Sequence, residues 1–152
     1  MAQENRITVN NHAVKVEIKD TISPTLRQIG YLDIKADIAP AMRGAMTFVE
    51  NAVRRNVADR DPYNGSLTRL AVRGVKSKPF SYGVGFTTYL DSHIWLYIFN
   101  AGSKERKTKE GLYRGRISGL FFMQAAKAEV EPVVFDMLRN AIFEQFGKKL
   151  GQ

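Results

Sequence analysis

Residues 40–59, PAMRGAMTFVENAVRRNVAD, carry the clearest structural signal in the sequence. Apolar side chains recur there at spacings of three and four residues, as they do along one face of an α-helix. Pro40 suits the first turn of a helix, where the N–H that proline lacks would have no partner. The apolar positions are Met42, Ala45, Met46, Val49, Ala52, Val53 and Val57. We predict a helix over residues 40–59 that buries this face against a core.

The segment after this helix predicts an antiparallel sheet. The turn DPYNG at residues 61–65 ends the helix, because proline cannot continue it and Asn-Gly favours positive φ. Runs of apolar side chains then predict three strands, at residues 67–76, 80–90 and 93–100. The third run is apolar on both faces, which is typical of a strand covered on both sides or by a neighbouring subunit.

The N-terminal segment adds a further pair of strands. Apolar residues alternate over residues 6–19 on either side of Asn10-Asn11, and asparagine tolerates the left-handed backbone of a tight turn. The polar alternate face suggests a sheet edge or an arm that faces solvent. Residues 21–39 stay ambiguous, with weak helical spacing only.

The C-terminal segment predicts two helices, at residues 118–130 and 132–146, the second with an apolar stripe at helical spacing. Sequential strands with short links pair as a meander that helices cover on one face. We therefore predict one α+β domain over residues 1–152, in which an antiparallel sheet of about four to five strands packs against a long helix and a C-terminal helix. Residues 1–20 form its N-terminal hairpin or arm.

Composition limits the class of protein. The 152 residues are 44% apolar and 25% charged, which is typical of a globular domain. There is no cysteine, so disulfides and thiolate metal sites are excluded. The two histidines, His12 and His93, do not have the spacing of metal ligands. No apolar run approaches the ~20 residues that span a bilayer, and the N-terminal sequence lacks the apolar core of a signal peptide. We expect folding in a cytoplasm, without a membrane partner.

Positive charge is concentrated in one segment. The net charge is +8, and residues 103–116, named the basic loop, hold six basic and two acidic side chains. The basic side chains are Lys104, Arg106, Lys107, Lys109, Arg114 and Arg116. Two interpretations stay open: a solvated flexible loop, or a surface for nucleic acid or an acidic partner.

Three aromatic residues precede the basic loop. Trp95, Tyr97 and Phe99 fall on one face of the strand predicted at residues 93–100. They suit a platform on which nucleic-acid bases stack. They equally suit packing within the core or across a subunit interface, where aromatic residues are enriched. We favour packing, because no arginine alternates with them along the strand.

The sequence offers no constellation of catalytic residues. Gly83 and Gly85 lack the third glycine and the strand-to-helix setting of a dinucleotide site. Ser92 and His93 are neighbours on a predicted strand, so their side chains point to opposite faces. We predict no catalytic residue, no cofactor, no metal site and no small-molecule substrate.

Three segments, in this order, carry a family resemblance. The first is a Pro-x-x-Gly-x-Leu turn after a long helix, PYNGSL at residues 62–67. The second, YIFNAGS at residues 97–103, resembles an aromatic–(Glu/Asn)-x-Gly-(Thr/Ser) segment. The third, GLFFMQAA at residues 119–126, resembles a segment in which phenylalanine and then alanine precede the last helix. Over residues 40–149 the chain resembles the tail-completion proteins of long-tailed bacteriophages, the gene product ten-like tail-component family. The basic loop resembles a longer-loop branch of that family.

The sequence departs from the family pattern at two of these places. Asn64 stands where the family usually has threonine, and Asn100 stands where it often has glutamate. The first forty residues lie outside the resemblance.

The resemblance implies a structural virion protein without catalysis. Such a protein forms a ring, commonly a hexamer, at the head–tail interface or neck. Its expected partners are other copies of itself, a head-side connector or stopper protein, and a tail terminator or tail-tube protein; genomic DNA in the channel is a further candidate. The expected location is the virion tail or neck, with the host cytoplasm during assembly. Trp95, Tyr97, Phe99 and the basic loop are the expected contact residues. A basic nucleic-acid-binding module is the alternative.

Overall fold

A computed structural model of the chain describes residues 5–10, 13–18, 33–80, 84–91, 94–113 and 115–151. Four antiparallel strands form one sheet: β1 (Asn5–Val9), β2 (Ala13–Ile18), β3 (Val75–Pro79) and β4 (Val84–Leu90). Their spatial order is β1-β2-β4-β3, so β2 and β4 lie in the centre. The four helices are α1 (Arg43–Arg60), α2 (Ser66–Gly74), α3 (Ile94–Ala101) and α4 (Phe122–Leu150). A π-helical turn, Ile34–Ile38, and one further helical turn, Ala39–Ala41, precede α1.

The core lies between one face of the sheet and the two long helices. Helix α1 packs on β3 and β4, α4 packs on β1 and β2, and the two helices pack against each other. Val14, Val16 and Phe86 from the central strands are fully buried beneath them, as are Val49 and Val53 of α1. The prediction of an α+β fold, with an antiparallel sheet against a long helix and a C-terminal helix, is confirmed.

The predicted N-terminal hairpin is confirmed. β1 and β2 pair antiparallel from Asn5↔Ile18 to Val9↔Val14. Asn10 holds the turn, because its N–H donates to the Ala13 carbonyl at 3.0 Å and its side-chain oxygen accepts from the Ala13 N–H at 2.8 Å. Asn11 and His12 lie outside the described residues. β1 is at the sheet edge as predicted, whereas β2 is central.

The strand predicted at residues 67–76 is wrong, because these residues form α2 before β3 begins. Leu67, Ala71 and Gly74 turn inward at helical spacing, whereas Val72 is 62% exposed. Gly65 ends the preceding turn at φ +88°, a conformation that suits glycine. The carboxylate of Asp61 accepts hydrogen bonds from the Thr68 N–H at 3.0 Å and the Thr68 hydroxyl at 2.9 Å, and so caps the first turn of α2.

The strand predicted at residues 93–100 is also wrong, because residues 94–101 form α3. Leu96 and Asn100, one helical turn apart, point inward and are fully buried. This packing outweighs the strand preference of the β-branched and aromatic residues between them. Of the predicted strand at residues 80–90, residues 84–90 form β4 and residues 81–83 lie outside the described part.

The two helices predicted at residues 118–130 and 132–146 are one continuous helix, α4, with Pro132 inside it. An unbroken buried stripe crosses the proline: Met123, Ala126, Val130, Val134, Leu138 and Ile142. Each large apolar side chain contributes about 1.5–3 kcal/mol when it is buried. Together they exceed the ~3 kcal/mol that an interior proline costs.

The C-terminal end of α4 is tied to the turn that precedes α1. Asp37 is buried, and its carboxylate accepts hydrogen bonds from the Asp33 N–H at 2.9 Å, the Gln145 amide at 3.3 Å and the Lys149 ammonium at 3.2 Å. The Asp33 N–H, followed by Lys149 and Gln145, holds the pKa of Asp37 below its ordinary value despite burial. The ambiguous residues 21–39 lie outside the described part up to residue 32.

The outer edge of β3 is protected from further pairing. The Arg54 guanidinium on α1 donates to the Val75 carbonyl at 2.8 Å. Pro79 has no N–H, and Lys76 and Lys78 are exposed along the strand. Charged side chains and proline are the usual means by which an edge strand avoids edge-to-edge association.

Candidate functional site

The surface of α3 that faces away from the core is apolar and exposed. Ile94 is 66% exposed and Trp95 is 55% exposed. One turn later Phe99 lies beside Trp95, with ring centroids 6.3 Å apart. Tyr63, from the turn before α2, is 48% exposed and stacks on Phe99 at 5.0 Å. We name these four residues the α3 patch.

The helix rearranges the aromatic residues that the sequence placed on one strand face. Residues two apart in a helix are separated by ~200°, so Tyr97 points to a different flank from Trp95. Trp95 and Phe99 do meet, because they are four residues apart. The prediction of a single face shared by Trp95, Tyr97 and Phe99 is therefore wrong. Trp95 and Tyr97, 40% exposed, are both on the surface.

The inner side of α3 anchors the start of α4. The Asn100 side-chain oxygen accepts a hydrogen bond from the Met123 N–H at 2.9 Å, and the Asn100 carbonyl accepts from the Phe121 N–H at 3.1 Å. The Phe99 carbonyl accepts from the Leu120 N–H at 2.8 Å. Phe121, at the N-terminal boundary of α4, provides no side-chain cap. Asn100 supplies one from another helix, so α3 and α4 hold a fixed relation.

Two glycines close the base of the basic loop. Gly102 has φ +82°, and a Cβ there would lie 2.7 Å from the backbone nitrogen of Gly119. The next residue, Ser103, pairs with Ile117: its N–H donates to the Ile117 carbonyl at 2.8 Å, and its hydroxyl oxygen accepts from the Ile117 N–H at 2.8 Å. The base of the loop is thus closely packed and hydrogen-bonded.

The basic loop is a paired hairpin over most of its length. The Arg106 N–H donates to the Gly115 carbonyl at 2.9 Å, and residues 107 and 113 form an antiparallel bridge. Near the tip the Thr108 N–H donates to the Leu112 carbonyl at 2.8 Å, and the Thr108 hydroxyl accepts from the Leu112 N–H at 3.0 Å. These cross-strand hydrogen bonds connect the two arms of the loop between its base and its turn.

The hairpin presents its cations to solvent. Five of the six predicted contact cations are exposed: Lys104, Arg106, Lys107, Lys109 and Arg116. The sixth, Arg114, lies outside the described residues. Lys104 and Arg116 border a shallow cavity of about 520 Å³ at the base of the loop, which also includes Phe121. Positive charge around an open cavity suits an acidic partner or a phosphate backbone.

Two exposed apolar residues lie beside the turn of the basic loop, which Lys109 and Glu110 form. Leu112 is 67% exposed and Tyr113 is 63% exposed, although charged residues surround them in sequence. We name these two residues the apolar pair. An exposed apolar pair on a hydrogen-bonded hairpin differs from a solvated lysine-rich loop, because it holds apolar surface that could bind a partner in a fixed position.

The outer face of the sheet is polar and internally paired. Lys15 lies 2.7 Å from Glu17 and 5.3 Å from the centre of the Phe80 ring. Lys78 lies 5.5 Å from the centre of the Tyr89 ring. These contacts distinguish this face from the α3 patch and the apolar pair, whose apolar atoms face solvent.

Two acidic groups near the strand and helix ends, Asp61 and Asp91, have structural roles. Burial opposes ionisation of Asp61, but the N–H groups of Thr68 and Tyr63 and the Thr68 hydroxyl outweigh it and lower the pKa of Asp61. Asp91 pairs with Lys76 at 2.6 Å. Among the described residues, no group of three or more histidine, cysteine or acidic side chains is placed to hold a metal ion. Ser92 and His93 lie outside the described residues. The helices described here include none that is long and apolar enough to cross a membrane.

Sequence reasoning missed several exposed apolar residues. Tyr63 stands in a predicted turn, and its stacking on Phe99 depends on the tertiary fold. Phe121 is 52% exposed and has a left-handed backbone, at φ +52°. Leu112-Tyr113 could have been found, since an apolar pair inside a charged segment is visible in the sequence itself.

Comparison of this chain with protein-family models, with curated proteins and with solved structures gives no match. The α3 patch, the basic loop and its apolar pair are therefore the observations on which an assignment of function rests.

Proposed function

We propose that this chain is a structural virion protein of a long-tailed bacteriophage, a tail-completion subunit that forms a ring at the head–tail interface. Its copies bind each other through a permanent homo-oligomeric interface. The ring joins the tail tube or its terminator to the head-side connector, with the genomic DNA crossing its channel.

The exposed aromatic surface of α3 is the observation that carries this proposal. Ile94 and Trp95 leave more than half of their surface in contact with solvent while Leu96 beside them is fully buried. Contiguous exposed apolar surface on an ordered element is typical of a protein–protein interface, and Trp and Tyr are enriched at the centres of such interfaces. A subunit that is completed by its neighbours has this property.

The glycines in two of the segments that resemble the tail-completion family provide a second, independent support for the proposal. Gly65, in the Pro-x-x-Gly-x-Leu turn, has φ +88°, and Gly102, in the aromatic–Asn-x-Gly-Ser segment, has φ +82°. Both positions favour glycine for a backbone reason. The segments that carry the family resemblance thus coincide with the start of α2 and with the junction between α3 and the basic loop.

The mass of the purified protein in solution tests the proposal. Sedimentation velocity, with negative-stain electron microscopy, should show a closed ring with a mass of about six times the 17.2 kDa chain. Addition of a head-side connector and a tail-tube protein should place this ring between them. A protein that stays monomeric at its highest soluble concentration, and joins no head or tail particle, contradicts the proposal.

A second candidate, a nucleic-acid-binding module, is favoured by one observation. Five exposed cations of the basic loop stand on a paired hairpin whose sequence includes two acidic residues, Glu105 and Glu110. Binding that depends on phosphate contacts weakens steeply with salt, with a slope of about −0.9 per phosphate neutralised on duplex DNA. Fluorescence anisotropy with duplex DNA at two salt concentrations measures this slope. Absence of binding at low salt removes this candidate.

A further inference from the structure

We infer that the cavity at the base of the basic loop binds a single strand of nucleic acid. A backbone phosphate lies between Lys104 and Arg116, and an unpaired base stacks on the ring of Phe121. The inference rests on the second candidate function, nucleic-acid binding, and it does not depend on the proposed ring. It names the residues that bind the strand and the form of nucleic acid that they select.

Two cations border the cavity, one from each arm of the loop. Ser103 and Ile117 pair at the base of the loop, and Lys104 and Arg116 are the next residues on the two arms. Both cations are exposed, and both line the cavity of about 520 Å³. Like charges on paired arms repel each other, and an anion bound between them relieves that repulsion.

Neither of these cations is neutralised within the described part of the chain. Other cations there have acidic partners, as Lys76 has in Asp91 at 2.6 Å. Among the described residues, Lys104 and Arg116 form no ion pair. Unpaired positive charge around a concave surface attracts phosphate groups, because the field of both cations is concentrated there.

Phe121 supplies an aromatic surface to the same cavity. Its φ of +52° is rare for a bulky residue and costs conformational energy, yet its side chain is 52% exposed and gains little from burial. A Cβ on Gly119 would lie 2.7 Å from the ring, so the ring packs directly on the Gly119 backbone. A ring that is held in place and lines an open cavity provides a surface on which an unpaired base stacks.

The combination favours a single strand over an acidic peptide or a duplex. The carboxylates of an acidic peptide would pair with Lys104 and Arg116 but would leave Phe121 without a specific partner. A duplex offers phosphates, but its bases are stacked on each other and do not reach the ring. A single strand offers a phosphate and an accessible base in one nucleotide.

A matched pair of charge variants tests the site. Lys104→Gln/Arg116→Gln removes the two cavity cations, whereas Lys107→Gln/Lys109→Gln removes two exposed cations of the same loop that do not line the cavity. Both variants lower the net charge by the same amount. Fluorescence anisotropy with a short labelled oligothymidine at low salt should show binding weakened at least about tenfold in the first variant and less than about threefold in the second.

A matched pair of phenylalanine variants tests the stacked base. Phe121→Leu keeps an apolar side chain and removes the ring, and it should weaken oligothymidine binding at least about fivefold. Phe143→Leu, at a residue that is also 52% exposed but further along α4, should bind as the wild type does. Circular dichroism and thermal unfolding check that each variant is folded.

Competition identifies the ligand. Unlabelled duplex DNA, oligoglutamate and thymidine monophosphate should each displace the labelled strand only at higher concentrations than unlabelled oligothymidine does. Equal displacement by the duplex, by oligoglutamate or by the free nucleotide overturns the assignment of the cavity to a single strand.

The outcomes also separate this site from nucleic-acid binding in general. Oligothymidine binding that both charge variants weaken equally, or that Phe121→Leu leaves unchanged, overturns the site and leaves the nucleic-acid candidate standing. Absence of binding to oligothymidine and to duplex DNA at low salt overturns both. Binding that is lost in the cavity variants and kept in their controls supports the site, whether or not the chain forms a ring.

Discussion

Two regions of the molecule differ in how far they bury their apolar side chains. We name the sheet with α1, α2 and α4 the body, and α3 with the basic loop the projection. In the body, Phe86 of β4 is fully enclosed by the sheet and the long helices. In the projection, Trp95 of α3 is 55% exposed and the apolar pair is more exposed still. Both regions are well hydrogen-bonded, so the difference does not reflect a lack of local order. The body buries most of its large apolar side chains within one chain, whereas the projection leaves several of them in contact with solvent.

The largest expected effect comes from truncating the same kind of side chain in each region. Phe86→Ala should lower the free energy of unfolding by about 3–5 kcal/mol, because it opens a cavity in the core. Trp95→Ala should lower it by less than about 1 kcal/mol, because much of that ring already faces water. Urea denaturation of the two variants gives the difference.

Measuring self-association of the same two variants completes the comparison. Trp95→Ala should weaken self-association while the monomer stays folded. An unfolding cost for Trp95→Ala as large as that for Phe86→Ala would mean that α3 belongs to the core of a single chain.

An intermediate effect is expected at the junction of the two regions. Asn100→Ala removes the acceptor for the Met123 N–H at the start of α4 and should cost about 1–2 kcal/mol. Asn51→Ala, at an exposed position on α1, is the matched control and should change stability by less than about 0.5 kcal/mol. Equal urea midpoints for the two variants would show that Asn100 does not act as a cap.

The smallest effect is the stability that ionised Asp37 gives the body, which is lost at acid pH. The lowered pKa of Asp37 means that the folded chain releases this proton more readily than the unfolded chain. The stability that Asp37 contributes is therefore complete above the ordinary value of 3.8 and is lost as the pH falls through the lower folded pKa. Lys149→Gln removes one of the groups that lower the pKa of Asp37, so the loss should begin at a higher pH than in the wild type.

Thermal unfolding between neutral pH and pH 2 measures how stability is lost as Asp37 becomes protonated. Asp37→Asn should lack this contribution at neutral pH, and its stability should approach that of the wild type as the pH falls. A constant difference between these two proteins across the range would show that the Asp37 carboxylate does not titrate as described.

Long elements were more predictable from sequence than short ones, for a physical reason. Helix α1 has an apolar stripe that matches its period over five turns, so residues 40–59 were assigned correctly to within a few residues. In α2, the spacing of Leu67, Leu70 and Ala71 was helical, but Leu70 and Val72 also alternate as a strand would. Short elements leave such ambiguity, and tertiary packing decides it.

The sequence identified which residues belong to the candidate site. It did not predict how these residues are grouped in space. The aromatic residues of α3 and the cations of the basic loop were identified from sequence. The described ones are exposed, except for Phe99, which is half-buried and packs against the core. Their grouping was not predicted, because Phe99 meets Tyr63 across 36 residues and Trp95 across one helical turn. Contacts of this kind follow from the fold as a whole.

The protected edge of β3 limits how copies of this chain can join. A β-sheet that continues from subunit to subunit around a circle requires every chain to offer two open edges, one to each neighbour. Here Arg54 occupies the Val75 carbonyl and Pro79 lacks a donor. Pairing of strands between chains would therefore stop after one partner. This also prevents the chains from adding to each other without limit to form a fibre. If these chains form the proposed ring, side chains rather than shared strands would have to join them.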